Sequence, residues 1–121
     1  MKRIYLPLIL LLVFNGFTIA AEKANENKVT KVEPVKVCMV NNKVFDKDQV
    51  PVEVDGKTYY GCCEMCKKTL KEHAEYRSGV DPVTGKQVDK AKAVIGAKAD
   101  GSTLYFESQE NLDKYNSGKG Q

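Results

Sequence analysis

Hydrophobic and polar positions divide the chain into three zones. Ile4 to Phe14 is one nearly unbroken apolar run, Glu22 to Pro34 (EKANENKVTKVEP) is charged and has no large apolar side chain, and from Val35 onward short β-prone pieces alternate with stretches of helical period. Lys2 and Arg3 precede the first zone, and it ends in small residues near Thr18-Ile19-Ala20. That order marks residues 1–20 as a secretory signal peptide cut after Ala20 or Ala21. An uncleaved anchor needs about 20 apolar residues. This run is shorter and broken by Asn15 and Gly16, so no membrane span is expected in the mature chain. Residues 21–35 cannot bury enough surface to offset the entropy of ordering and are predicted to be a flexible tether, as is the tail 117–121.

The third zone contains an internal repeat. Gly56-Lys57-Thr58-Tyr59-Tyr60-Gly61 and Gly101-Ser102-Thr103-Leu104-Tyr105-Phe106 match in Gly, Thr and Tyr at a constant offset of 45 residues, with Asp55 and Asp100 before the glycines. Asp-Gly followed by a β-prone run predicts a hairpin turn leading into a strand. A helix follows in each copy, Cys63 to Tyr76 and Ser108 to Tyr115, with Ser108 a good N-cap and Cys63 in the equivalent place. Upstream β-prone pieces, Val35 to Val40 and Ala91 to Ala97, complete the units, the second opening on a turn at Asp81-Pro82-Val83-Thr84-Gly85-Lys86. The expected fold is a small α+β protein of two treble-clef-like hairpin/helix units, 36–77 and 78–116, packed together. Each unit is too small to rely on a hydrophobic core alone, so the copies must pack on one another, be stapled, or both.

Charge narrows the function. Of 19 basic residues the leader holds two, leaving 17 against 16 acidic ones, interleaved from end to end. No basic stripe suits phosphates, and nucleic acid is excluded as a partner. A single His and the lack of a Gly-rich phosphate loop leave no catalytic arrangement, so the chain is expected not to be an enzyme. Acidic pairs such as Glu72 and Glu75 fit a solvated face, and Tyr59, Tyr60 and Tyr105 fit cross-strand packing.

The chemistry lies in four cysteines, all in the first copy: Cys38, Cys62, Cys63 and Cys66. In an exported protein, thiols persist only if paired, metallated or catalytic. Cys62 and Cys66 are four apart at a helix start, with Cβ atoms roughly 6 Å apart, near enough for both sulfurs to reach one ion. The free N–H groups there favour thiolates. Cys38 joins them if its strand meets the hairpin. Cys63 is a candidate fourth ligand, although about 100° from Cys62 if both lie on the helix. Met39 and Met65 could add thioether sulfur but are read as packing side chains, and His73 is an axial distance of roughly 10 Å from Cys66 and is read as a surface residue. Three thiolates suit Cu(I), zinc or toxic soft ions rather than Mg or Ca. Two other readings stay open. The even count fits two disulfides, for instance Cys38–Cys62 and Cys63–Cys66, in a secreted interaction module. Cys63-Glu64-Met65-Cys66 also fits a thiol redox protein, though the preceding sequence is hairpin-like.

Cys38, 23 residues, Cys62, three residues, Cys66, with Gly-Lys-Thr-Tyr-Tyr just before the second Cys, resembles the TRASH domain, a small module of heavy-metal trafficking, resistance and sensing. The second copy resembles a degenerate YHS domain. Asp81-Pro82-Val83-Thr84-Gly85-Lys86 matches the opening Asp-Pro-Val-Cys-Gly-Met with Thr84 in the Cys place, and Glu107 stands where an aromatic pair is followed by Cys. The resemblance covers residues 36 to 116 and implies Cys38, Cys62 and Cys66 as metal ligands, with a metal transporter or efflux component as partner. Cys63 is extra, the first gap is longer than usual, and the second copy should hold no metal through thiolates.

Overall fold

The structure, a computed structural model, describes residues 28–118; the segment read as a signal peptide lies outside them. The chain runs β1 (Thr30–Val32), a 3-10 turn (Pro34–Lys36), β2 (Val37–Cys38), β3 (Lys43–Val44), β4 (Val50–Val54), β5 (Lys57–Gly61), α1 (Glu64–Glu72) and a second 3-10 turn (Ala74–Arg77). It continues with β6 (Ser78–Val80), β7 (Gln87–Asp89), β8 (Val94–Ala97), β9 (Thr103–Phe106) and α2 (Gln109–Asn116). All sheets are antiparallel: β1-β8-β9, β2-β3, β4-β5 and β6-β7. The class is α+β, and each unit has a hairpin followed by a helix, while the strand expected ahead of the first hairpin shrinks to the two residues of β2.

The two hairpins differ at their tips. Asp55 and Gly56 both have positive φ (52° and 76°), the left-handed pair of a two-residue turn that suits the twist of β4 and β5. Asp100-Gly101 instead lies in a longer loop closed by Lys98 N–H to Ser102 O and Gly101 N–H to Lys98 O. Ser108 caps α2, its Oγ accepting from Asn111 N–H at 3.2 Å. Helix α1 stops at Glu72, short of the predicted Tyr76, because the Arg77 guanidinium donates to the carbonyls of Leu70 and Lys71 and closes the helix end. Of the two upstream pieces, Val35–Val40 is mostly turn. Ala91–Ala97 is strand only from Val94, because the Asp89 carboxylate accepts from Ala91 N–H and holds a turn there.

One core runs through both units. Val37, Met39, Val52, Tyr59 and Leu70 of the first meet Val88, Ile95 and Tyr105 of the second. Polar joints reinforce it: Asp89 accepts from Tyr59 OH (2.7 Å) and pairs with Lys57 (2.6 Å), and Thr103 N–H donates to Asn42 O. The predicted tether needs correction in its described part. Thr30–Val32 adds a strand to β8, and Val29 is buried against Phe106 and Leu112. The Asn116 amide clamps Val29 from both sides, accepting from its N–H and donating to its carbonyl. Gly96 makes the groove, since a Cβ there would lie 2.6 Å from the Val29 side chain. Val32, two positions along from the β1 start, packs instead against the main core.

Candidate metal centre

Three pieces of backbone bring the sulfurs together. Cys38 ends β2 at a tight knuckle, where Asn42 adopts a left-handed φ of 53° and Met39 N–H donates to Tyr60 O (2.9 Å), docking the knuckle on β5. Strand β5 ends at Gly61, followed at once by Cys62 and Cys63. A Cβ on Gly61 would stand 2.8 Å from the Cys66 Cβ, so only glycine lets the strand approach the helix this closely. Helix α1 begins after Cys63 and turns Cys66 inward.

Cys38, Cys62 and Cys66 form a group with all three sulfurs within 4.8 Å of one another. The Cys62–Cys66 separation is 3.4 Å and that of Cys38–Cys66 is 3.9 Å. Cys63 Sγ lies 3.9 Å from that of Cys62 and 3.7 Å from that of Cys66. The 100° divergence that would hold if Cys62 and Cys63 both lay on the helix does not arise: Cys63 is the extended N-cap, so helical rotation does not separate them. Cys38 and Cys66 are buried, Cys62 half-buried and Cys63 exposed, and all four are free thiols in one cluster.

The sulfurs differ electrostatically. Burial opposes ionisation of Cys38, but the backbone N–H groups of Asn41, Val40 and Cys62 outweigh it and draw its pKa below the ordinary thiol value. Cys63 is also lowered, chiefly by the backbone N–H of Cys66. Burial, followed by hydrogen bonds with Cys62 and Cys63, pushes Cys66 up to about 12. For Cys62 the Cys66 bond favours the thiolate, yet burial and the neighbouring Cys38 prevail and raise it. Helix-start thiolates were therefore expected too broadly: the effect reaches Cys63, and not Cys62 or Cys66.

The donor set fits a soft ion. Sulfurs about 2.3 Å from a common centre are about 4 Å apart in a trigonal arrangement, close to the 3.4 to 3.9 Å contacts of Cys66 with its three neighbours. His73 caps the far end of α1, exposed, and Met65 is exposed beside Cys66, while Met39 packs fully in the core. Two polar residues near the cluster escaped the sequence reading, Lys90 and Asn42. Lys90 sits among alternating charges with no local signal of burial, and Asn42 reads only as a turn residue. No family model, curated protein or solved structure matches the chain.

Proposed function

We propose that this chain binds one soft metal ion, Cu(I) in first place and zinc in second, and carries, buffers or delivers it without catalysing a reaction. The observation that carries this reading is the convergence of Cys38, Cys62 and Cys66 sulfurs within 4.8 Å. Soft thiolates select such ions, and Cu(I) is content with two or three of them. Cys63, at the open side, is the adjustable fourth donor. Export through the N-terminal segment and delivery to a metal transporter or efflux component belong to the same proposal, supported by the charge and apolar order of residues 1–20 and by the TRASH-like spacing. No helix among the described residues is long and apolar enough to cross a membrane.

The test is thiol titration with elemental analysis on the chain from Glu22, purified from the periplasm without added reductant or metal. About one equivalent of copper or zinc, with thiols protected by it, is expected. Cys38→Ser and Cys66→Ser should each lower affinity about a hundredfold or more, which chelator competition measures. Metal-free protein without titratable thiols, unable to take up Cu(I) after mild reduction, would favour the disulfide-bonded module instead.

A further inference from the structure

Lys90 belongs to the second unit, at the end of β7, where its N–H donates to Arg77 O. Its side chain runs across the unit boundary beneath the knuckle that carries Cys38. Nζ donates to Met39 O at 2.7 Å and to Asn42 Oδ1 at 2.8 Å, and it stands 4.9 Å from the Tyr105 ring centroid. The residue is only 4% exposed, and no Asp or Glu pairs with it among the described residues. A lysine this deeply buried is almost always paired, because neutral acceptors do not replace the solvation of a full charge. Burial draws its pKa down to about 8, and Cys38, when ionised, pulls the other way. At neutral pH the ammonium form still dominates.

We propose that Lys90 is the counter-charge of the thiolate cluster, an ammonium lent by the second unit that offsets the negative charge of the ion-loaded site and biases it towards a monovalent soft ion. The inference rests on the metal-binding reading above. Three thiolates around a monovalent ion leave a net charge of −2, and around a divalent ion −1; the thiol protons go to solvent in both cases, so a fixed positive charge favours the monovalent complex over the divalent one by one unit of charge interaction. The second unit then contributes more than packing: it supplies the charge that the ligand-bearing unit lacks.

Two variants test this in the full chain under anaerobic, reducing conditions, with Cu(I) and Zn(II) as probes in chelator competition. Lys90→Met removes the charge and keeps the apolar stem. Asn42→Asp leaves Lys90 in place and neutralises it with a carboxylate at the atom that already accepts its proton. Each is expected to lower the ratio of Cu(I) to Zn(II) affinity about tenfold or more, while the metal-free urea midpoint stays level or rises. Should Lys90→Met not fold, Asn42→Asp carries the test alone. A wild-type chain that binds while a folded variant matches it, or an equal loss for both ions, overturns the role of Lys90 and leaves the metal reading intact. A wild-type chain that takes up neither ion overturns the metal reading itself.

Discussion

The two units join the same places by different chemistry. In the first, the knuckle, the end of the hairpin and the start of the helix meet through Cys38, Cys62 and Cys66. In the second, one buried carboxylate makes the corresponding joint. Asp81 Oδ1 accepts from Val83 and Thr84 N–H in its own turn, and Oδ2 accepts from Glu107 N–H and Asn111 Nδ2, each at 2.8 Å. Glu107 and Asn111 lie 45 residues beyond Cys62 and Cys66. A carboxylate accepting charge-assisted hydrogen bonds is a complete staple. Thiols are weak donors and acceptors, so the first unit has its joint assembled but only weakly tied. The difference separates a frame that closes itself from one whose sulfurs lie close enough together to hold a metal ion.

The largest effect that would break this comparison is expected from Asp81→Asn. The amide brings N–H groups against donors that now face oxygen, and the loss should be about 4 kcal/mol, read from urea denaturation and independent of metal. Burial opposes the charge of Asp81, but the N–H of Glu107, the Asn111 amide and its own turn prevail and hold its carboxyl below the usual carboxylate range. The unfolded chain therefore binds the proton more readily. Stabilisation by Asp81 is complete well above the ordinary carboxylate value of about 3.9 and is lost as pH falls below it towards the lowered native value. The wild type should lose stability more steeply than Asp81→Asn across that acid range. Parallel slopes would remove the staple from the argument.

The next effect sharpens the contrast in cores. Phe106 fills a second apolar cluster with Val29 and Leu112, whereas the equivalent position in the first unit is Gly61, bare because Cys66 stands against it. Val29→Ala should lower stability by about 1.5 to 2.5 kcal/mol, with faster amide exchange along Thr30–Val32. An unchanged midpoint would mean that the N-terminal strand contributes nothing to the second unit.

What was legible in the sequence was local or repeated. The 45-residue offset exposed both hairpins, Ser108 announced its helix, and the Cys spacing located the cluster, because each depends on neighbours a few residues apart. What stayed hidden depends on surfaces formed only on folding. Val29 needs the Gly96 groove, Lys90 needs the underside of a knuckle 51 residues away, and Asp81, legible as a turn residue, gains its other two donors from β9 and α2. Cys63 stayed open for a smaller reason: one residue at the helix start decides whether its sulfur diverges from that of Cys62 or joins it.

That residue gives the smallest prediction. Ser108 and Cys63 hold equivalent N-cap positions with nearly the same extended backbone, but Ser108 Oγ accepts a helix N–H while Cys63 makes no side-chain cap bond. Cys63→Ser transplants the cap of the second unit into the first. In metal-free, reduced protein it should gain about 0.5 to 1 kcal/mol, seen as a higher urea midpoint. Ion affinity should fall far less than with Cys38→Ser or Cys66→Ser. If the helix gains nothing, the two starts are not equivalent and the comparison fails at this point. A gain would mean that the first unit forgoes helix stability to keep a fourth sulfur at the exposed side of the cluster.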